Sequence, residues 1–131
     1  MSLNPELIIV DDDPFIGKFF ADWLKDYSID YQFYDDPEEG LARIVEQRPK
    51  VVILDYNMPI INGHQLIVKL SEEHIFSDSA VFLFTGEQMD EMQIMRMMTL
   101  GFEKVLFKPL DKEAFFTLLS DNLGELKAKT A

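Results

Sequence analysis

Five polar residues stand where short apolar runs end, and their types suit chemistry on a phosphoryl group or a cation. Asp11 and Asp12 follow Leu7–Val10, Asp55 follows Val51–Leu54, Thr85 follows Ala80–Phe84, and Lys108 follows Val105–Phe107. Taken singly, each has an ordinary role: Asp is common in turns and helix caps, Thr in turns, Lys at surfaces. Taken together they say more. Three carboxylates crowded together repel, so they either share a proton or bind a cation. Hard oxygen ligands suit Mg²⁺, which keeps several waters and accepts one or two carboxylates plus a phosphoryl oxygen. Lys108 offers a point charge to a phosphoryl group and Thr85 a hydroxyl, while Gly86 leaves room beside them. A carboxylate nucleophile, a metal and fixed positive charge are the parts used for phosphoryl transfer.

For these residues to converge, the apolar runs must be neighbouring strands whose carboxyl ends share one edge. Runs of consecutive aliphatic residues such as Val51–Leu54 read as strands buried on both faces, the kind found in parallel sheets. The aromatic stretch Tyr31–Tyr34 supplies a further strand. Helical spacing fills the gaps. After the Asp13-Pro14 start come Ile16, Phe20, Trp23, Leu24 and Tyr27, with Phe15 and Phe19 widening the stripe. Asp36-Pro37 opens a second helix carrying Leu41, Ala42, Ile44 and Val45. Beyond a loop from Asn57 to Gly63, Leu66, Ile67 and Leu70 suggest a third, ending near His74 to Phe76. A Met-rich helix spans about Gln88 to Leu100 and stops at Gly101. The last helix opens with Asp111 and Glu113, carries Phe115, Phe116, Leu119 and Leu123, and closes with Lys127 and Lys129, a charge order that suits the helix dipole. Strand and helix alternate five times, which predicts one doubly wound α/β domain on a five-stranded parallel sheet. In such sheets ligands bind beyond the carboxyl ends of the strands.

The 131 residues suit a single domain with one core. With 24 acidic against 12 basic residues the net charge is −12, which argues against nucleic-acid binding through the domain surface and leaves room for a basic protein partner. Cysteine is absent, so thiolate chemistry, disulfides and Cys-based zinc sites are excluded. No apolar run is long enough to span a membrane and no signal peptide is visible, so a cytoplasmic protein is expected. Residues 1–5 are expected to be an appended or disordered start and 126–131 a frayed tail.

In order and position these motifs resemble a bacterial response-regulator receiver domain over nearly the whole chain. The matching pieces are Ile8-Ile9-Val10-Asp11-Asp12-Asp13-Pro14, Leu54-Asp55-Tyr56-Asn57-Met58-Pro59 with Asn62-Gly63, Phe84-Thr85-Gly86 and Phe107-Lys108-Pro109. The resemblance implies a flavodoxin-like (βα)5 fold with strand order 2-1-3-4-5. It implies Asp55 as phosphoacceptor, with Mg²⁺ (or Mn²⁺) held by the Asp12 and Asp55 carboxylates and the Asn57 carbonyl, and with Asp11 acting through water. Thr85 and Lys108 would bind the phosphoryl oxygens, Asn57 and Glu87 would modulate self-hydrolysis, and the Lys108-Pro109 bond would be cis. Implied partners are a histidine kinase or histidine phosphotransfer protein, and a downstream protein or output domain reached through the Met89–Met98 region. A phosphorylation-linked homodimer is a further expectation; direct contact with nucleic acid or membrane is not. No output segment follows the last helix, so the chain is expected to be a stand-alone receiver or a piece of a larger regulator.

One position departs from the family pattern. Val105 stands three before Lys108, where the family often has Tyr or Phe, and Phe107 does not replace it. The Met-rich helix carries Met89, Met92, Met95, Met97 and Met98, which cannot all lie on one stripe; about half are expected in the core. His64 and His74 are expected to face solvent. Three other readings compete with the signalling switch. A receiver-like module that is never phosphorylated would serve interaction only, and the complete set of acids, Thr and Lys speaks against it. An Asp-nucleophile phosphatase would use Asp11, but the residues after it, Pro14 and Phe15, depart from that pattern. A flavodoxin-like FMN binder would need a Ser/Thr/Gly-rich phosphate loop after the first strand, where Asp11 to Phe15 would repel a phosphate.

Overall fold

The computed structural model describes residues 5–58 and 63–129. Pro59 and Asn62 of the loop motif lie outside the described residues. Five strands, β1 (Leu7–Val10), β3 (Tyr31–Tyr34), β4 (Val51–Asp55), β5 (Ala80–Thr85) and β6 (Lys104–Phe107), form one sheet in the order β3-β1-β4-β5-β6. Every pairing in it is parallel. Counted in chain order within this sheet, the strands run 2-1-3-4-5, as the receiver resemblance implies.

Helices cover both faces because the central strands are apolar on both. On one face Val10, Val52, Leu54 and Leu83 pack with residues of α2 (Pro37–Gln47), α3 (Gly63–Glu72), the single turn α4 (Ile75–Asp78) and α5 (Glu91–Leu100). On the other, Ile9, Ile53, Phe82 and Phe84 meet Phe20 and Leu24 of α1 (Pro14–Leu24) and Phe115 and Leu119 of α6 (Lys112–Leu123). All four residues of β1 and the first four of β4 are fully buried. Burial of a Leu or Ile side chain stabilises a fold by roughly 1.5–3 kcal/mol, so these two strands anchor the core.

Acids set the helix starts. The Asp13 carboxylate accepts from Phe15 N–H at 3.0 Å, Asp36 from Glu38 N–H at 3.0 Å, and Asp111 from Ala114 N–H at 3.1 Å. Asp90 and Gln93 close a reciprocal capping box at 2.8 and 2.9 Å, so α5 begins at Glu91, three residues later than expected. Gly101, at φ +129, ends α5 as expected, and a Cβ there would meet the Phe76 ring at 2.6 Å.

Several expectations change. Phe15 and Phe19 do not widen the buried stripe of α1; they are 64% and 59% exposed. Tyr27 leaves the helix and enters the short strand β2 (Tyr27–Ser28). The third helix ends at Glu72, and residues 75–78 make a separate turn after His74, which takes a left-handed φ of +58. The last helix stops at Leu123 because Gly124 adopts φ +81, so Lys127 and Lys129 do not close it. Instead of fraying, Lys127–Ala128 forms β7, antiparallel to β2, and Lys129 N–H donates to the Asp26 carbonyl at 2.8 Å. His64 and His74 are exposed, as expected. Among the described residues no helix is long and apolar enough to cross a membrane.

Candidate functional site

Parallel register brings the strand ends together. Val10 pairs with Leu54, so Asp11 and Asp55 leave adjacent strands side by side. Asp55 pairs with Phe84 and Thr85 with Phe107, which sets Thr85 and Lys108 beyond the same edge. Main-chain bonds continue past the strands: Asp11 N–H to the Tyr34 carbonyl at 3.1 Å, Tyr56 N–H to Phe84 at 3.0 Å, and Lys108 N–H to Thr85 at 2.8 Å. The Lys108-Pro109 bond is cis.

Asp11, Asp12 and Asp55 each present a carboxylate oxygen within 4.8 Å of the others. Asp11 and Thr85 are fully buried, Asp55 is 4% exposed, and Asp12 faces solvent. Lys108 reaches across with Nζ 2.9 Å from Asp11 Oδ2 and 3.7 Å from Asp55 Oδ1. Burial holds the Asp55 carboxyl up at about 7, helped by the Asp11 charge and a hydrogen bond with Asp12. Lys108 and the Asn57 N–H pull against that rise without cancelling it. Burial also works against the charged form of Lys108, but the neighbouring carboxylates, Asp11 first, outweigh it and raise its pKa.

The oxygens are unequally occupied. Asp11 Oδ1 accepts from Asp13 N–H at 2.9 Å, and Asp55 Oδ1 from Asn57 N–H at 3.3 Å. Asp11 Oδ2 is buried, and among the described residues its close polar partner is the Lys108 ammonium at 2.9 Å. Three carboxylates that each bring an oxygen within 4.8 Å of the others, two of them buried, are a donor set that fits a hard divalent cation and its bound water. Thr85 Oγ1 accepts from Glu87 N–H at 3.0 Å, which leaves its own proton free to donate.

All five strand-end residues therefore meet at one edge. Asn57 and Glu87 lie beside it, both exposed. Val105 is buried against the α5 side of the sheet, while Phe107 is 41% exposed. Sequence reading overlooked Phe84 as a site residue; its ring centroid lies 5.0 Å from Lys108 Nζ, a cation–π distance. Its only signal was its place immediately before Thr85. The apolar side chains around Lys108 were also unforeseen: Ile16, Phe19, Trp23, Pro109 and Leu110 line a hollow of about 310 Å³ next to it.

Comparison with known proteins agrees with this arrangement. The family model described as response regulator receiver domain matches residues 7–120. The sensor histidine kinase TmoS of Ectopseudomonas mendocina is 26% identical over 108 residues, covering 81% of this chain and 11% of that protein. The DNA-binding dual master transcriptional regulator RpaA of Synechocystis is 29% identical over 111 residues, covering 83% of this chain and 45% of RpaA. The chain thus spans less than half the length of either protein. The solved structure of the chemotaxis protein CheY4 of Vibrio cholerae superposes with a TM-score of 0.75 at 23% identity, covering 92% of this chain and 99% of CheY4, and shares the fold. With the fold, the strand-end cluster and the match over residues 7–120 in agreement, the chain belongs to the response regulator receiver family, the phosphoacceptor signalling domains of two-component systems.

Proposed function

We propose that Asp55 accepts a phosphoryl group from a phosphohistidine on a kinase or phosphotransfer protein and later releases it to water. The observation that carries this reading is the buried Asp55 carboxylate between Asp11, Asp12 and the Lys108 ammonium. A carboxylate oxygen of Asp55 attacks phosphorus, the phosphorus–nitrogen bond of the donor breaks, and the imidazole leaves with the electron pair. In self-dephosphorylation water attacks phosphorus, the acyl phosphate opens, and carboxylate and inorganic phosphate separate.

Each neighbour has a role in this scheme. Lys108 turns from Asp11 toward the transferred oxygens and neutralises their charge. Thr85 donates its free hydroxyl proton to one of them. The Asp12 and Asp55 carboxylates and the Asn57 carbonyl would hold Mg²⁺, or Mn²⁺, with Asp11 ordering its water. Bound there, the cation lowers the repulsion between carboxylates and incoming phosphoryl group and favours ionised Asp55. Asn57 and Glu87, exposed at the rim, control the approach of hydrolytic water.

The phosphodonor must come in over this edge, and Phe15 and Phe19 offer exposed apolar surface beside it. A downstream protein, an output domain, or a second copy meets the α5 region, whose state depends on the acyl phosphate. A cytoplasmic location and the absence of direct nucleic-acid contact complete the reading. The test is the rate of phosphate incorporation from a small-molecule phosphodonor with Mg²⁺. Wild type should label and release phosphate; Lys108→Ala and Thr85→Ala should label at least about tenfold more slowly. Equal rates in all three proteins would overturn the assigned roles.

A further inference from the structure

Strand β5 ends in Phe84-Thr85, and the two side chains leave opposite faces of the sheet. Thr85 serves the phosphoryl oxygens in the reading above, whereas Phe84, 2% exposed, joins the core on the α1–α6 face. Its register partner on β4 is Asp55, so backbone pairing carries the ring to the nucleophile's side. Lys108 Nζ stands over that ring, 5.0 Å from its centroid. That is inside the reach of a cation–π contact, about 6 Å. The ring is itself wedged in place. Phe20 of α1 lies 6.3 Å from it, and Phe20 packs on Phe115 of α6 at 4.9 Å and on Trp23 at 5.8 Å. A line of rings thus runs from two helices to the ammonium of the site.

Core packing alone accounts for an apolar residue at position 84, and a leucine would meet that need. It does not account for a ring face turned to a cation whose other contacts are Asp11 at 2.9 Å and Asp55 at 3.7 Å. With Asp11 as its sole anchor, the ammonium would be drawn onto a buried carboxylate and away from the oxygens it must neutralise. A further acid would hold it back, but would add negative charge where three carboxylates already face an incoming anion. An aromatic face attracts a cation and carries no net charge. The Lys108 side chain is 27% exposed, so water competes with the ring only in part. We propose that Phe84 is a positioning residue for phosphoryl transfer, its ring face holding the Lys108 ammonium between Asp11 and Asp55 and releasing it to the transferred oxygens. This rests on the phosphoacceptor reading above and adds a residue to it.

The test replaces Phe84 with phenylalanines carrying one, two or three ring fluorines, which draw electron density from the ring face and barely change its size. Labelling from a small-molecule phosphodonor with Mg²⁺ is timed in each protein. The rate should fall step by step with fluorination, to about one-fifth of wild type at three fluorines, and Phe84→Leu should fall at least as far. The same replacements at Phe82, two positions earlier on the same face of β5, should leave the rate unchanged. In proton spectra the Lys108 Cε protons, identified by their loss in Lys108→Ala, should be shifted upfield by the ring current and return to their ordinary position in Phe84→Leu. A flat rate across the fluorinated series, an equal fall at position 82, or an unshifted Lys108 resonance in wild type would each overturn the proposal. Normal wild-type labelling with a flat series sinks this inference alone. Wild type that takes no label removes the phosphoacceptor reading, and this inference with it.

Discussion

Asp55→Asn should stabilise the protein at neutral and alkaline pH in the absence of divalent cations, and its advantage should grow with pH. In the folded chain the Asp55 carboxyl sits at about 7, against an ordinary value of 3.8. Below about pH 4 it is protonated in folded and unfolded chains alike, and contributes no penalty. As pH rises, the unfolded chain ionises first, while the folded chain resists until about pH 7. Stability is therefore lost across that window, by up to about 4 kcal/mol at roughly 1.4 kcal/mol per pKa unit. Asparagine cannot ionise and escapes the loss, while its amide oxygen can still accept the Asn57 N–H. The variant forfeits the Lys108 contact at 3.7 Å, worth about 1 kcal/mol or less because Lys108 keeps Asp11 at 2.9 Å. The expected gain over wild type, measured relative to pH 4.5, is about 2–4 kcal/mol at pH 8. Urea unfolding of both proteins with chelator at pH 4.5, 6 and 8 reads this directly, because titrations common to both cancel. A stability gap that stays constant or narrows as pH rises would refute the assignment of burial as the dominant influence on Asp55.

Adding Mg²⁺ at a hundred times its dissociation constant should raise wild-type stability by about 2.7 kcal/mol, and Asp12→Asn should lose most of that gain in thermal melts. Gly40→Ala should destabilise by about 1–3 kcal/mol in urea, since the new Cβ would lie 2.6 Å from Val10 Cγ2. Ile53→Ala, in the centre of β4 and fully buried, should cost about 2–5 kcal/mol while leaving the Asp55 chemistry in place, as phosphate incorporation by the folded fraction would show.

The site was legible because its residues sit at strand ends, and those strands announce themselves by continuous aliphatic runs. Val51–Leu54 can satisfy burial on both faces only inside a parallel sheet, and that placement delivers Asp55 to the edge. Helix starts were equally plain where Asp precedes Pro, as at Asp13 and Asp36. What failed was the reading of apolar residues as buried by default. Phe15 and Phe19 fit the helical stripe of α1 but lie to one side of the line from Phe20 to Leu24 that meets the sheet. Periodicity gives the stripe and not its width. The end of α6 was hidden by Lys127 and Lys129, which complement a helix dipole as readily as they join a short strand. Gly124 was the stronger signal there, since its φ of +81 breaks the helix. The pairing of Lys127–Ala128 with Tyr27–Ser28 joins segments far apart in sequence through two residues each, too few for any alternation to register. The methionines divided as the arithmetic of a helix requires, with Met97 inside and Met92, Met95 and Met98 outside, but tertiary packing decides which face meets the sheet.

The most direct test of Asp55 as phosphoacceptor is residue-level mapping of the acyl phosphate. The protein is incubated with Mg²⁺ and a small-molecule phosphodonor, reduced with borohydride to convert any aspartyl phosphate to homoserine, and sequenced by mass spectrometry. Homoserine at position 55, lost with chelator and blocked in Asp55→Asn, is the result that the buried carboxylate and its Lys108 partner predict. Homoserine at position 11 would place the nucleophile on the neighbouring strand, as in an Asp-nucleophile phosphatase. No homoserine in a folded protein would contradict the phosphoacceptor reading and leave an interaction module.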